Sequence, residues 1–155
     1  MATHEATVDW QRGDANFLDN RYSRRHDVAF DGGVSFAMSS APSVVPVPRS
    51  DPAAVDPEEA FVAALASCHL LSFLYVAAKS GFVVDSYLDH AVGTMAKNAR
   101  GKAFVSKVVL KPVVTFAGDA KPSAEQHAAL HHQAHDECFI ANSVLTDVQC
   151  EPTVA

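Results

Sequence analysis

Positive charge is scarce in this chain. It has 12 lysines and arginines against 18 aspartates and glutamates, and its formal net charge is −6. The basic residues form no stripe that could neutralise a phosphate backbone, so we expect no nucleic-acid partner. The first residues also lack a basic start followed by an apolar core. We therefore predict no signal peptide and a cytoplasmic location.

Cysteine is scarce as well, and the only ones are Cys68, Cys138 and Cys150. An odd number of cysteines without secretion signals argues against a disulfide framework and leaves transient thiol chemistry open. Internal repeats and low-complexity tracts are absent, and 155 residues suit one domain. We predict a single domain over residues 1–155.

Charge is missing altogether from Ala60 to Ala78. Asp56 is a good N-cap for a helix over this segment, and Gly81 can end it. An apolar run of this length raises a transmembrane alternative. We reject that alternative because no cluster of lysine and arginine flanks the run, and because polar side chains interrupt its centre: Ser67, Cys68, His69 and Ser72. The pattern favours a soluble protein whose long helix is buried on nearly all sides, with a partner subunit helping to cover it.

Strand patterns lie on both sides of the long helix. Before it, alternating residues predict strands over 6–10, 21–30 and 34–38, followed by a proline-rich loop over 41–55. After it, they predict strands over 83–97 and 103–116, a second helix over 123–138 and a final strand over 143–154. Ser123 and Gln126 form a plausible capping pair for that helix. The order β-β-β-α-β-β-α-β predicts an α+β fold with antiparallel sheets around the central helix.

Two motifs resemble a known family. The first motif is similar to the central helix of the OsmC/Ohr family and reads Asp56-Pro57-Glu58-Glu59, followed by Ala66-Ser67-Cys68-His69. This family comprises osmotically inducible protein C and the organic hydroperoxide resistance proteins. The downstream segment 138–143, Cys-Phe-Ile-Ala-Asn-Ser, is similar to that family's second cysteine motif. The predicted order of elements also agrees. The resemblance implies an OsmC-like fold and an intertwined homodimer with active sites at the subunit interface.

The same resemblance implies roles for individual residues. Cys68 corresponds to the peroxidatic cysteine and Cys138 to the resolving cysteine. Glu58 corresponds to a glutamate that holds a catalytic arginine from the early strands. Arg24 is favoured for that arginine and Arg25 is the alternative, since neighbouring strand residues point to opposite faces. The implied activity is that of a peroxiredoxin-like thiol peroxidase, which reduces organic hydroperoxides through a Cys68–Cys138 disulfide, with hydrogen peroxide left open as a further substrate.

Elementary thiol chemistry requires the same components. A free thiol has a pKa of about 8.5, and only its thiolate is a good nucleophile. Burial raises a thiol pKa, whereas a nearby arginine lowers it, and a glutamate can fix that arginine in place. Glu58 lies about 15 Å from Cys68 along an unbroken helix. A long arginine, from the same subunit or the other one, must therefore bridge the gap. An external thiol or dithiol would supply the electrons, and no cofactor is implied.

The remaining candidates receive structural interpretations. His69 points about 100° away from Cys68 around the helix, so we predict a packing role rather than a catalytic base. Cys150 has no motif and is interpreted as structural. The histidines of the second helix, His127, His131 and His135, recur every four residues, but a closed metal site needs about four ligands. We predict a solvated or interfacial face and no metal.

One alternative function remains open at this stage. It is a non-enzymatic stress-response protein, or a protein that binds small hydrophobic molecules, on the same fold. In that case the cysteines would lie too far apart, or the arginine too far away, for turnover. The sequence names neither the physiological peroxide nor the reductant.

Overall fold

The structure, a computed structural model, describes all 155 residues from Met1 to Ala155. Contacts between α-carbons divide the chain into two compact units, Met1–Ala60 and Phe61–Ala155. The first unit contains one three-stranded sheet, and the second contains two sheets of three strands each.

The first unit is built on an antiparallel sheet of strands β1 (Ala6–Asp9), β2 (His26–Phe30) and β3 (Ser35–Met38). Strands β2 and β3 form a hairpin, and Gly33 adopts the positive φ of 84° that its turn requires. The predicted start of β2 at residue 21 is wrong. Residues 21–25 are irregular because their backbone groups bond outside the sheet: Arg24 N donates to Arg49 O at 2.8 Å, and Ser23 O accepts from Trp10 Nε1 at 2.8 Å.

Helix α1 runs from Pro57 to Lys79, as the sequence predicts. Its N-terminus is closed by a reciprocal capping box, in which Glu59 N donates to Asp56 Oδ1 at 2.8 Å and Asp56 N donates to Glu59 Oε2 at 3.0 Å. Within the single chain the helix is buried along one stripe, which comprises Leu65, His69, Phe73, Val76 and Ala77. The opposite stripe remains exposed and apolar, so one chain alone does not cover the helix on all sides.

The second unit contains two mixed sheets. One has the order β4 (Val83–Asp89), β7 (Pro112–Ala117) and β9 (Thr153–Val154), and the other has the order β5 (Val92–Lys97), β6 (Ala103–Leu110) and β8 (Asp147–Cys150). In each sheet the first pair is antiparallel and the second pair is parallel.

The three strands predicted for this part of the chain are therefore six. The chain leaves one sheet for the other at His90-Ala91, at Lys111 and at Glu151-Pro152. At the second of these points the Lys111 N–H donates to Asp89 Oδ1 at 2.7 Å, so a side chain replaces a strand partner. Pro112 has no N–H and marks the same boundary in the sequence.

Helix α2 spans Ala124–Asp136, and its predicted capping box is confirmed by hydrogen bonds in both directions between Ser123 and Gln126. A single 3₁₀ turn, η1 (Ala141–Ser143), follows it.

Two apolar clusters fill the core of this unit. The first contains Phe73, Val76, Ala77, Val114, Phe116, Leu130 and Ala134, and the second is centred on Leu65, Val108 and Leu110. The predicted α+β fold class is confirmed.

Candidate active site

Two of the predicted site residues, Cys68 and Cys138, meet in the second unit. Cys68 lies half-buried in the middle of α1, and Cys138 lies in the turn after α2, where only 1% of it is exposed. Backbone N–H groups from the same short segment point at both sulfurs. Ile140 N donates to Cys68 Sγ at 3.5 Å and Ala141 N donates to Cys138 Sγ at 3.4 Å. Both cysteines are free thiols.

The segment after α2 is held in place by its own polar side chains. Asn142 Nδ2 donates to Asp136 O at 2.8 Å and to Cys138 O at 3.0 Å. Ser143 Oγ donates to Phe139 O at 2.7 Å. Ile140 packs against the second apolar cluster, which includes Leu65 on α1. The motif that follows Cys138 therefore anchors this turn to the face of α1 that carries Leu65, one helical turn before Cys68.

The environment of Cys138 keeps its thiol protonated. Burial and the neighbouring Cys68 thiol together raise the pKa of Cys138 to about 11, against the opposing backbone hydrogen bonds from Ala141 and Ile140. At neutral pH the Cys138 sulfur is therefore neutral. Because the nucleophile in thiol chemistry is the thiolate, Cys138 is poorly suited to make the first attack on a substrate.

The predicted arginine and glutamate lie in the first unit. The Arg24 guanidinium donates to Asn20 O at 3.1 Å, to Asn20 Oδ1 at 2.5 Å and to Tyr22 O, and it stacks over the Tyr22 ring at 4.0 Å. Arg25 instead forms an ion pair with Asp51 at 2.6 Å. Glu58 is half-buried in the first turn of α1 and forms an ion pair with neither arginine. The roles of these residues stay predictions.

A second polar cluster lies in the core of the second unit, and the sequence did not predict it. His69 Nε2 lies 3.0 Å from His131 Nδ1, and Cys150 Sγ lies 3.6 Å from each of these nitrogens. His131 Nε2 lies 3.1 Å from His127 Nε2. The prediction of a solvated or interfacial face on α2 is wrong for His127 and His131, because both are buried in the core of the single chain. His69 is buried as well. These contacts join residues 62 and 81 positions apart, so no local sequence signal reports them.

Burial also governs the charge of this cluster. It lowers the pKa of His69 to about 4, with a contribution from His135, and the pKa of His131 to about 3, with contributions from His127 and His69. Burial raises the pKa of Cys150 to about 12, with further contributions from Asp89 and Glu151. The cluster is therefore electrically neutral near pH 7. His69 Nε2 faces His131 and Cys150.

The surroundings of Cys68 are apolar and open in the single chain. Leu71 is 64% exposed and Tyr75 is 62% exposed, and both lie on the uncovered stripe of α1. Phe139, next to Cys138, is 80% exposed. Phe73 is instead a core residue with no exposure. An exposed apolar surface of this kind on a helix is typical of a protein or ligand contact.

Comparison with known proteins identifies the class to which this fold belongs. The family model for OsmC-like protein matches residues 50–153. An OsmC-like protein of unknown function from Vibrio cholerae has 55% sequence identity and a TM-score of 0.95, and the match covers 99% of this chain and all of that one. The chain belongs to the OsmC-like protein family.

More distant solved structures share the fold. An organic hydroperoxide resistance protein from Elizabethkingia anophelis has 16% identity and a TM-score of 0.69, and the match covers 100% of this chain and 96% of that one. An organic hydroperoxide resistance protein from Bacillus subtilis has 18% identity and a TM-score of 0.62, with 99% and 98% covered. No curated protein matches the chain in sequence.

The packing of α1 shows how this apolar helix is used. By length and composition alone this helix could cross a membrane. In the structure its buried stripe packs into the core of the second unit, with Leu65 and Phe73 fully enclosed. Helix α1 is therefore a core helix of a soluble fold.

Proposed function

We propose that this protein is a thiol-dependent peroxidase that reduces organic hydroperoxides, with Cys68 as the attacking cysteine and Cys138 as the resolving cysteine. The observation that supports this most strongly is the meeting of the two thiols, 70 positions apart in sequence, at one pair of backbone N–H donors. Membership of the OsmC-like family and structural likeness to proteins named for organic hydroperoxide resistance support a hydroperoxide-resistance role.

The proposed reaction starts at the more accessible sulfur. The Cys68 thiolate attacks the distal oxygen of the hydroperoxide, the O–O bond breaks, and the alkoxide leaves and takes a proton to become an alcohol. Cys68 is then a sulfenic acid. The Cys138 thiol condenses with it, forming the disulfide, and its proton leaves with the sulfenic hydroxyl as water. An external thiol or dithiol reduces the disulfide and is itself oxidised, so no bound cofactor is required.

The backbone donors suit these steps. Hydrogen bonds from N–H groups to an ionised sulfur are charge-assisted, and Ile140 N and Ala141 N are already aimed at the two sulfurs. The raised pKa of Cys138, about 11, keeps this thiol protonated while Cys68 reacts, and the proton leaves only in the condensation step. We therefore propose that Cys68 reacts first and Cys138 second.

We further propose that Arg24 stabilises the Cys68 thiolate and the peroxide oxygens, and that Glu58 orients it, as the family resemblance implies. A guanidinium suits this role because it stays charged and offers several donors in a plane. Within the first unit Arg24 is held by Asn20 and Tyr22. In the proposed active state it exchanges these neutral acceptors for Glu58 and the reacting groups.

The active form is proposed to be a cytoplasmic homodimer. A second copy of the chain, packed against the exposed apolar stripe of α1, would remove that stripe from water. Burial of apolar surface stabilises an interface by about 25 cal/mol for each Å². The same covered surface would provide an apolar wall near Cys68, which favours alkyl hydroperoxides over hydrogen peroxide.

A turnover assay tests the proposal. Reduced protein is mixed with cumene hydroperoxide and a dithiol, and peroxide consumption is followed over time. We expect catalytic consumption by the native protein and none by Cys68→Ser. Ser67→Ala is the matched control, since Ser67 is the exposed neighbour of Cys68 on the same helix and should turn over normally.

The contrary result would favour the alternative function. If native protein and Cys68→Ser consume peroxide at the same rate as buffer, with folding verified by circular dichroism, the peroxidase assignment fails. A non-enzymatic role in binding small hydrophobic molecules on the exposed α1 surface would then be the better interpretation.

A further inference from the structure

The buried cluster of His69, His131 and Cys150 has the composition of a metal site. One ligand atom from each residue lies within 4.8 Å of the others. The three residues come from three different elements: α1, α2 and β8. The parallel pairing of β8 with β6 sets Cys150 opposite Leu110 in the core, and this places its sulfur beside the two imidazoles.

The spacing of the ligand atoms agrees with tetrahedral coordination. Bonds of about 2.0–2.1 Å to nitrogen and about 2.3 Å to sulfur, at tetrahedral angles, separate nitrogen from sulfur by about 3.6 Å and nitrogen from nitrogen by about 3.3 Å. The two observed nitrogen–sulfur separations are both 3.6 Å, and the nitrogen–nitrogen separation is 3.0 Å. We propose that His69 Nε2, His131 Nδ1 and Cys150 Sγ bind a divalent transition-metal ion of the Zn²⁺ class.

The surrounding residues hold the proposed ligands in place. His131 Nε2 is 3.1 Å from His127 Nε2, so His131 can direct its remaining N–H to that neighbour while Nδ1 binds the ion. Phe73 stacks on the His131 ring with centroids 4.2 Å apart. The rings of His69 and His131 are nearly parallel, at 5°. In this arrangement His127 acts as a positioning residue and does not itself bind the ion.

One side of the cluster is accessible. Cys150 and His131 line a cavity of about 250 Å³, together with His135, one turn further along α2, and with Ala128, His132, Val148 and Pro152. An ion can enter from this cavity, and a water molecule or His135 can complete the coordination. Three protein ligands with a fourth position facing solvent are typical of exchangeable or catalytic zinc sites rather than closed structural ones.

Binding would change the protonation of the cluster in a defined way. The ion replaces the contact between His69 and His131, each of which already offers a neutral imidazole. The Cys150 thiol gives its proton to solvent and becomes a metal-bound thiolate, because a coordinating thiol is deprotonated outright. Without a metal, the same residues form a neutral hydrogen-bonded chain, and this is the alternative against which the proposal is tested.

The test uses the full chain, freed of any affinity tag and treated with a chelator. Co²⁺ is added as a spectroscopic probe, and Zn²⁺ affinity is then measured by competition with a chromophoric chelator. We expect one ion for each chain and a thiolate-to-cobalt absorption band in the near ultraviolet. Cys150→Ser should remove that band, and His127→Gln should weaken Zn²⁺ affinity by about 10–100-fold while keeping the band.

Two control variants separate this site from the proposed peroxidase site. His4→Gln changes an exposed histidine outside this cavity, and Cys68→Ser changes the proposed peroxidatic sulfur; both should bind Co²⁺ with the same band as the native protein. The proposal is overturned if the native protein gives no thiolate band. It is equally overturned if the band survives in Cys150→Ser or disappears in Cys68→Ser. Because the readout is metal binding, a failed peroxidase assay leaves it unaffected.

Discussion

At the scale of single residues, the two sulfurs of the candidate site lie in different surroundings. Cys68 is half-buried on α1, beside the exposed apolar stripe of that helix. Cys138 is almost fully buried, and its pKa is raised to about 11. We therefore propose different roles for these two cysteines, since burial penalises the charged form of a thiol.

Alkylation should reveal this difference. We expect iodoacetamide to modify Cys138 very slowly at neutral pH, with a rate that rises toward pH 11, because only the thiolate reacts. Peptide mass spectrometry of native protein at a series of pH values measures the rate for Cys138 directly. Half-maximal reactivity at or below the usual thiol value, near pH 9, would contradict the assignment.

The raised pKa of Cys138 also has a consequence for stability. The folded state keeps the Cys138 proton up to about pH 11, whereas the unfolded thiol loses it near pH 9. Its contribution to the free energy of unfolding is therefore present below pH 9 and is lost as the pH rises from there toward 11. Chemical denaturation of native protein and of Cys138→Ala at pH 8 and at pH 10.5 measures this contribution. Between these two pH values, the free energy of unfolding should fall less in the variant than in the native protein. Equal losses would contradict this explanation.

The two neighbouring arginines can be distinguished by matched substitutions. Arg25 is already neutralised by Asp51, while Arg24 bonds only to neutral acceptors. We expect Arg24→Gln to lower kcat/KM for a hydroperoxide by about 100-fold or more, as for removal of a donor to developing charge. Arg25→Gln should have a much smaller effect. A larger loss of kcat/KM in Arg25→Gln than in Arg24→Gln would instead assign the thiolate-stabilising role to Arg25.

At the scale of elements, the helices follow from the sequence more closely than the strands do. Both capping boxes can be identified from local residue types, because their hydrogen bonds join residues three positions apart. Period-two alternation continues through Lys111 and gives no sign that the chain changes sheet there. Pro112 was the available signal, since proline cannot donate to a ladder.

The contact between α1 and β5 leaves no space for a side chain at Gly93. A Cβ added there would lie 2.6 Å from Val62 Cγ2 on α1. We expect Gly93→Ala to lower the free energy of unfolding by about 1–3 kcal/mol through overpacking. Chemical denaturation measures the change. Gly32→Ala is the matched control, because a Cβ at Gly32 meets nothing within 4 Å.

A further variant identifies the cause of the Gly93 effect. In Gly93→Ala combined with Val62→Ala, the clashing methyl group is removed, so the double variant should lose less stability than the sum of the two single variants. Simple additivity would contradict the contact as the origin of the effect.

At the scale of the whole molecule, the cluster of His69, His131 and Cys150 shows the limit of prediction from sequence. The spacing of the α2 histidines was visible, but their burial depends on which face of α2 packs against Phe73 and the sheet carrying Phe116. Cys150 has no local motif, and its partners are set by strand pairing across the core. The Cys68–Cys138 pair was predictable only because its two motifs resemble a family.

The exposed stripe of α1 leads to a prediction about assembly. Tyr75 is 62% exposed on a helix with no charge between Ala60 and Ala78. We expect Tyr75→Glu to convert a homodimer into a monomer, because a charge at an apolar interface is desolvated without a partner. Light scattering after size-exclusion chromatography gives the mass in solution.

Leu145→Glu is the control for this prediction, since Leu145 is 99% exposed but lies outside the helix. It should leave the mass of the native assembly unchanged. A native protein that is monomeric at micromolar concentration, or a dimer that survives Tyr75→Glu, would contradict an interface on this stripe.

The central claim, that Cys68 and Cys138 form one redox pair, is tested most directly by a single-turnover experiment. Reduced protein receives an equimolar amount of cumene hydroperoxide, and its thiols, intact mass and disulfide-linked peptides are measured. We predict the loss of two of the three thiols, a decrease in mass of about 2 Da, and one linked peptide pair containing Cys68 and Cys138. Retention of all three thiols, or a disulfide that includes Cys150 in place of either cysteine, would contradict the account.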